Sequence, residues 1–270
     1  MIFSDFHVHT AYDHGKALPA DMAQAAARQH MTALGMVGHA RTEFFCSYAM
    51  TPESEQAFLA DMAALKNQYA GQMDVFCGIE LDYFSPEPEL PYDYRIGSVH
   101  YIQLEGHVVS VDSDPVQLAK DVQQYCGGDY RRLYQVYYDT VARIVDKTNA
   151  DIIGHFDLVT LYNEQQQLFS MEDPAYRKAA LDAVDILLEK DRIFEINSGA
   201  ISRGYRKTPY PAPFLLQEIH DRGGRIMLSS DAHATNTMLF QFEESIELAK
   251  SVGFRSAWVL TRDGFREQPF

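Results

Sequence analysis

The chain has 270 residues, 46% of them hydrophobic, so it can bury one large core, and no linker or repeat divides it into two domains. It carries 38 acidic against 23 basic residues, a formal charge of -15 that argues against a general nucleic-acid-binding protein because the phosphate backbone would repel it. It lacks a signal-peptide pattern and an apolar run near the roughly 20 residues that cross a bilayer, and its three cysteines have no CxxC spacing, so we expect a cytoplasmic protein with reduced thiols.

Short apolar runs alternate with segments of helical period along the whole chain. In chain order we predict a strand over 1–9, a helix over 19–31, a strand over 33–40, a helix over 52–70, strands over 74–83 and 95–102, helical segments over 115–148, a strand over 150–159, a helix over 174–190, a strand over 192–199, a helix over 213–222, a strand over 224–233, a helix over 242–252 and a strand over 256–264. This alternation predicts a parallel sheet wrapped by helices. Its number of repeats at this length favours a closed barrel over an open sheet.

Histidines and carboxylates interrupt the apolar strands at or just past their C-terminal ends. The residues concerned are His7, His9, His39, Glu80, His100, His155, Asp231 and His233, and His14 follows the first strand closely. In a parallel barrel these strand ends share one face, where active sites are built. His30, His107 and His220 end no strand, and we interpret them as surface or packing residues.

These nine side chains predict a metal centre. Burying several imidazoles and carboxylates without partners is costly, and divalent cations remove that cost. Nitrogen and oxygen donors without cysteine suit Zn, Mn or Fe, and nine donors imply two or three ions. Clustered ions of this kind suit phosphate ester hydrolysis. The roles of Asp5 and Asp13 stay open: Asp5 lies deeper in the strand, and Asp13 could begin the turn at Gly15.

Seven motifs in order, FHVHT, DHG, VGHA, GIELDY, GSVHY, GHFD and SSDAH, resemble those of the PHP (polymerase and histidinol phosphatase) family, and within it the stand-alone histidinol-phosphatase branch. The resemblance implies a distorted (β/α)7 TIM-like barrel with a trinuclear centre, one domain over 1–270 with an elaborated insertion around 86–148. It assigns the first ion to His7, His9, Glu80 and Asp231, makes Glu80 a bridge to a second ion on His100 and His155, and gives the third ion to His14, His39 and His233.

The resemblance also implies an activity, the hydrolysis of L-histidinol phosphate to L-histidinol and phosphate by a metal-bridging hydroxide. Asp231 is then either the acceptor of the water proton or a ligand only, and His233 is a candidate acid for the leaving group. Arg203 and Arg41 are candidate phosphate contacts. The chain departs from the expected pattern at Thr160, where we expect a basic residue in many relatives. Further candidate contacts to the substrate imidazole or amine are Glu43, Tyr162 and Asn197.

Three alternatives stay open. The first keeps the chemistry but changes the substrate to another small phosphomonoester, such as a nucleotide or a sugar phosphate. The second is a proofreading exonuclease or polymerase accessory domain, which should carry a basic track that this acidic chain lacks. The third is a non-catalytic metal-binding barrel, which should have lost some of the nine positions. The sequence leaves the metal identity and the oligomeric state undetermined.

Overall fold

Eleven strands occur in the computed structural model, which describes residues 3–270, so the first two positions of the predicted strand 1–9 lie outside the described residues. In chain order the strands are β1 (Ser4–Val8), β2 (Ala33–Met36), β3 (Asp74–Asp82), β4 (Tyr94–Ser98), β5 (Tyr101–Leu104), β6 (His107–Ser110), β7 (Ile152–Ile153), β8 (Ile193–Asn197), β9 (Arg225–Ser229), β10 (Ser256–Thr261) and β11 (Gly264–Pro269). Seven of them form one parallel sheet in the order β1-β2-β3-β4-β7-β8-β9.

The first and last strands of this sheet meet just beyond β9. Val8 pairs with Ala232 in a parallel bridge, the His9 N–H donates to the Ala232 carbonyl at 2.8 Å, and the Ala232 N–H donates to the His7 carbonyl at 3.1 Å. The sheet is therefore a nearly closed barrel, and the predicted TIM-like α/β architecture is confirmed.

Ten α-helices connect and cover the strands. They are α1 (Pro19–Arg28), α2 (Pro52–Gln68), α3 (Pro115–Cys126), α4 (Tyr130–Val141), α5 (Ile144–Thr148), α6 (Asn163–Gln166), α7 (Pro174–Glu189), α8 (Gly199–Ser202), α9 (Pro213–Asp221) and α10 (Phe242–Ser251). Five of the longer helices begin with proline, whose missing N–H costs little in the first turn. None of the described helices combines the length and the apolar composition needed to cross a bilayer.

Three predicted strands differ from the structure. The strand over 95–102 is divided, because β4 ends at Ser98 and the antiparallel hairpin β5-β6 begins at Tyr101. The strand over 150–159 contains only the two residues of β7, followed by a 3-10 turn at Leu158–Thr160. The last predicted strand, β10, pairs antiparallel with β11 in a separate sheet outside the barrel. In each case local apolar composition resembled a barrel strand, while pairing partners decided the outcome.

The segment predicted as an elaboration, 86–148, contains barrel strand β4. The remainder is the hairpin β5-β6 and helices α3, α4 and α5, which share a hydrophobic core built largely from tyrosine and valine side chains. Along the chain this unit connects β4 to β7, which are neighbours in the barrel sheet. It therefore begins at the C-terminal end of β4, at the barrel mouth.

Asp5 fastens the first strand to the end of the last one. Its fully buried carboxylate accepts hydrogen bonds from the backbone N–H groups of Ser230 at 3.2 Å and Leu239 at 3.1 Å, and from the Ser230 hydroxyl. Burial raises the pKa of Asp5, and these hydrogen bonds oppose that rise. Asp5 therefore sets the position of the chain immediately before Asp231.

Candidate metal and active site

A cavity of about 800 Å³ opens where the barrel strands end. Seven of the nine predicted metal ligands line it: His14, His39, Glu80, His100, His155, Asp231 and His233. His7 and His9 lie below its floor, with exposures of 0% and 1%. The strand ends thus converge on one place, as the sequence pattern predicts.

The Nε2 atoms of His7 and His9 face one another. Nδ1 of His7 contacts Oε1 of Glu195 at 2.7 Å, and Nδ1 of His9 contacts Oδ2 of Asp13 at 2.5 Å. In the neutral imidazole a carboxylate partner holds the proton on Nδ1, so Nε2 is the nitrogen available to a metal ion. These two Nε2 atoms are 3.1 Å apart. Once both Nε2 atoms are unprotonated, their lone pairs cannot satisfy each other, but a metal cation can accept both.

The Glu80 carboxylate lies at the centre of the imidazoles. Its Oε2 is 3.3 Å from Nε2 of His7, 3.3 Å from Nε2 of His9 and 3.0 Å from Nδ1 of His39. Despite these distances Oε2 is buried without a hydrogen bond. The atoms are close but not aligned as donors and acceptors, which is how ligands around a shared cation are arranged.

The second oxygen of Glu80 faces the other side of the cluster. Oε1 accepts a hydrogen bond from the Ser98 hydroxyl at 2.6 Å and lies 3.1 Å from Nε2 of His155 and 3.6 Å from Nε2 of His100. Behind His100, Oδ2 of Asp82 accepts from the His100 backbone N–H at 2.8 Å and lies 3.6 Å from its Nδ1. One carboxylate therefore reaches two groups of imidazoles.

Asp231 and two further histidines complete the cluster. Oδ1 of Asp231 is 3.8 Å from Nε2 of His7, 3.6 Å from Nε2 of His9 and 3.6 Å from Nδ1 of His233. The Nε2 atoms of His14 and His233 are in direct contact. Asp231 has a φ of 48°, a left-handed conformation that aspartate and asparagine tolerate better than most residues.

The donor set fits divalent metal ions. Within each of three groups the possible ligand atoms all lie within 4.8 Å of one another. The orphaned Glu80 Oε2 and the facing lone pairs of His7 and His9 are the polar atoms that cations would satisfy. The three groups are His9, His14, His39 and His233; His7, His9 and Glu80; and His39, Glu80 and His100.

Glu80 and Asp231 are held as anions. Burial alone would raise both pKa values, but the neighbouring imidazoles of His39 and His7 bring the pKa of Glu80 well below its usual value. For Asp231, the guanidinium of Arg203 and the imidazole of His7 outweigh burial and bring the pKa well below its usual value. Both carboxylates are therefore available as charged ligands at neutral pH.

The histidines divide into two classes. Burial, reinforced by the charge of His9, lowers the pKa of His233 to about 3. Burial also opposes charge on His9 and His100, but Asp13 raises the pKa of His9 to about 9, and Asp82 with Glu80 raises the pKa of His100 to about 10. Cations bound at these nitrogens would have to displace protons from the second class.

Three carboxylates that the sequence interpretation missed or left open orient the ligands from behind. Glu195 holds His7 and also accepts from the His155 backbone N–H at 3.1 Å; Asp13 holds His9; and Asp82 holds the backbone of His100. Glu195 has an exposure of 1% within the apolar strand IFEIN. The sequence signal for Glu195 was a single carboxylate within an otherwise apolar strand. Because a buried carboxylate without a partner is costly, such a residue predicts a nearby partner group.

Of the two predicted phosphate contacts, Arg203 lines the cavity. Its Nη2 donates to Oδ2 of Asp231 at 3.0 Å, and its Nη1 donates to the Asp231 carbonyl at 3.1 Å. Arg41 is not among the described residues lining the cavity; it lies 3.9 Å from Glu55, and its side chain is half exposed. The geometry therefore supports a site role for Arg203 and offers none for Arg41.

Thr160 lies in a buried polar group next to the cavity wall. Nη1 of Arg206 donates to its hydroxyl oxygen, and the Thr160 hydroxyl donates to the Asp157 carbonyl at 2.7 Å. The Arg206 guanidinium is 3.8 Å from Oδ2 of Asp157 and stacks on the Tyr210 ring at 4.2 Å. A basic group thus stands beside Thr160, although it comes from a different loop.

The three further candidate substrate contacts lie outside the cavity lined by the predicted metal ligands. Glu43 is mostly exposed opposite Lys147, Tyr162 donates its hydroxyl to the Asp112 carbonyl at 3.0 Å, and Asn197 is buried against Glu195. None of these three is among the described cavity-lining residues. The same holds for the histidines expected to be non-functional, His30, His107 and His220.

Two proteins with histidinol-phosphatase names are similar to this chain in sequence. A protein of Deinococcus radiodurans named "Probable histidinol-phosphatase" is 29% identical over 267 residues, covering 93% of this chain and 94% of that protein. The histidinol-phosphatase of Bacillus subtilis is 23% identical over 214 residues, covering 74% of this chain and 78% of that protein.

A solved structure has the same fold. The histidinol phosphate phosphatase of Lactococcus lactis, complexed with zinc, L-histidinol and phosphate, superposes with a TM-score of 0.74 at 18% identity, covering 97% of this chain and 98% of that one. Residues 5–199 of this chain match the sequence model of the family described as "PHP domain". That match covers most of the barrel, and the chain belongs to the PHP domain family.

Proposed function

We propose that this protein is a metal-dependent phosphomonoesterase that hydrolyses L-histidinol phosphate to L-histidinol and phosphate in histidine biosynthesis. The observation that carries the metal-dependent part is the Glu80 carboxylate, whose Oε2 is surrounded by three imidazole nitrogens and makes no hydrogen bond. The substrate is supported by the names of the Deinococcus and Bacillus relatives and by the ligands of the Lactococcus structure.

We propose three divalent ions, with Glu80 shared between the first two. His7, His9, Glu80 and Asp231 would hold the first ion, Glu80, His100 and His155 the second, and His14, His39 and His233 the third. Zinc is supported by the Lactococcus complex, and nitrogen and oxygen donors also suit manganese and iron. When bound, such ions supply Lewis acidity that activates water and neutralises phosphate charge.

Asp231, Arg203 and His233 have separate proposed roles beside the metal ions. Asp231 stays ionised, so it is available as a metal ligand or as the acceptor of a proton from water, while Arg203 offers guanidinium N–H groups to a phosphate in the cavity. His233 was a candidate proton donor, but its pKa of about 3 leaves it neutral at physiological pH. Its role is therefore better described as a metal ligand.

The elaborated segment provides one wall of the pocket. Ser110, at the end of β6, and Asp112 and Ser113, which follow it, line the cavity together with Leu158 and Leu161. We propose that one domain spans the chain and that this elaboration around 86–148 shapes the pocket for a small molecule. A cavity of about 800 Å³ lies within the usual range for small-ligand sites.

A specificity panel tests the proposal. The metal-reconstituted protein would be assayed for phosphate release from L-histidinol phosphate, nucleoside monophosphates and sugar phosphates. We expect kcat/KM to be highest for L-histidinol phosphate by at least about tenfold. Equal or higher values for a nucleotide or sugar phosphate would identify a different small phosphomonoester as the substrate, and no release from any ester would identify a non-catalytic metal-binding barrel.

A further inference from the structure

Asp112 differs from the other carboxylates of the cavity. Among the described lining residues the carboxylates are Glu80, Asp231 and Asp112, and the first two belong to the proposed ligand set. Asp112 lines the cavity two residues beyond the end of β6, in the segment outside the barrel. The cavity thus contains one carboxylate that the metal centre does not use.

The Asp112 side chain is positioned by the protein but its charge is not paired. Oδ1 accepts a hydrogen bond from the Ser110 hydroxyl at 2.8 Å, and its carbonyl accepts from the Tyr162 hydroxyl at 3.0 Å. Within residues 3–270 no Lys, Arg or His nitrogen lies within 4.0 Å of its carboxylate oxygens. A fixed, unpaired carboxylate facing a ligand cavity is a binding element for a cation.

Two aromatic side chains line the same cavity as Asp112. Tyr48 and Tyr101 line the same cavity, their rings 6.3 Å apart and stacked. Burial first, and then the negative charge of Asp112, raise the pKa of Tyr48, so the carboxylate lies close enough to this aromatic wall to act on it. An aromatic wall next to a carboxylate suits an organic ammonium group, which both can contact.

We propose that Asp112 is the specificity residue that receives the protonated amine of the substrate, so that the site selects phosphomonoesters of cationic amino alcohols. This inference rests on the proposed phosphatase function and adds the part of the site that recognises the non-phosphate end. Phosphate would be held at the metal centre, and the ammonium group would face Asp112. A second phosphate or carboxylate in a substrate would be repelled there.

The test compares two esters that differ in one group. L-histidinol phosphate and 3-(imidazol-4-yl)propyl phosphate share the imidazole, the carbon chain and the phosphate, but only the first has the amine. In the wild-type holoenzyme we expect kcat/KM to be about ten- to a hundredfold higher for the first, the range expected of a charge-assisted hydrogen bond. In Asp112→Asn this ratio should fall to within about threefold of unity, through KM rather than kcat.

A matched variant and a binding measurement accompany the assay. Asp114→Asn removes the same charge two residues away, where Asp114 is exposed and accepts from the Val116 backbone N–H at the start of α3, and should leave the substrate ratio unchanged. Calorimetric titration with L-histidinol, in the presence of inorganic phosphate, should show at least about tenfold weaker binding to Asp112→Asn than to the wild type.

The outcomes separate this inference from the proposed function. If the wild type hydrolyses L-histidinol phosphate but Asp112→Asn keeps its preference for the amine, or loses both substrates equally, Asp112 is not the amine site. If L-histidinol phosphate is a poor substrate but O-phosphoethanolamine is preferred over ethyl phosphate and Asp112→Asn abolishes that preference, the inference holds and the proposed substrate is wrong.

Discussion

The Nε2 atoms of His7 and His9 lie 3.1 Å apart, while the opposite nitrogen of each ring contacts a carboxylate, Glu195 for His7 and Asp13 for His9. Each carboxylate fixes the tautomer of its imidazole and aims the free lone pair at the same point. When both Nε2 atoms are unprotonated, their lone pairs repel at this distance unless a cation lies between them. This arrangement supports the proposed metal binding, with Glu195 and Asp13 orienting the two imidazoles.

Glu195→Gln should weaken metal binding without touching a ligand. Gln can still accept a hydrogen bond from His7 but lacks the negative charge that makes the imidazole a stronger donor. We expect affinity to fall by about ten- to a hundredfold, as for other second partners of metal-binding histidines. Metal content per chain, measured over a series of buffered free zinc concentrations, checks this. Glu189→Gln, at the exposed end of α7, is the control; equal affinities for all three proteins would contradict the role of Glu195.

Asp231→Asn should lower kcat by at least about a hundredfold, because it removes a charge from the metal cluster and any proton acceptance. Asparagine also tolerates the left-handed backbone with φ of 48° found at this residue, so the fold should be preserved. Steady-state kinetics on L-histidinol phosphate and a circular dichroism spectrum are the measurements. A correctly folded variant with turnover near that of the wild type would refute this role.

Metal removal should both inactivate and destabilise the protein. Cations that bind only the native state add about 2.7 kcal/mol of stability at a hundredfold excess over Kd, so a chelator should lower Tm measurably. Zinc restored after dialysis should recover both Tm and activity. A chelated protein with unchanged Tm and full turnover would exclude the proposed centre.

Metal affinity should increase with pH. Asp13 raises the pKa of His9 to about 9, and Asp82 raises that of His100 to about 10, although burial opposes both shifts. Below these values a metal ion must displace protons, so binding tightens as the pH rises toward them and weakens in acid. Zinc titrations between pH 6 and 9 should show increasing affinity and proton release; an affinity independent of pH would contradict protonated ligands in the metal-free state.

Arg206→Met should destabilise the fold by about 3 kcal/mol at neutral pH, because it leaves the buried Asp157 carboxylate without its cation. Burial raises the pKa of Asp157, and Arg206 opposes that rise, so the variant should raise it further. A carboxyl whose folded pKa lies above its unfolded value loses stability as pH rises through the folded pKa. The deficit should therefore be largest at pH 7 and shrink in acid.

Urea unfolding at pH 7 and pH 4.5 measures that difference. The double variant Arg206→Met with Asp157→Asn should recover most of the lost free energy at pH 7, since no buried charge is then unpaired. A deficit that is the same at both pH values, or is unchanged in the double variant, would mean that Arg206 acts through packing on Tyr210 instead.

Sequence reasoning succeeded where the signal is local. Apolar runs ending in His7, Glu80 or Asp231 identify both the strands and their functional ends, because parallel strands of a barrel must share one catalytic face. It was less successful where pairing decides the structure. Nothing within SAWVLTRDG distinguishes a barrel strand from β10, which pairs with the neighbouring β11.

The amino-acid sequence by itself determined the alternation of strands and helices and the identity of the candidate metal-binding side chains, since both depend on periodicity and on side-chain type. Only the tertiary structure decided which groups stand behind those candidate ligands and which line the cavity. Glu195, Arg203 and Asp112 are far apart along the chain, and their separate tasks follow from burial and from the direction in which each charge points. Those properties arise when the barrel closes and have no counterpart in a linear motif.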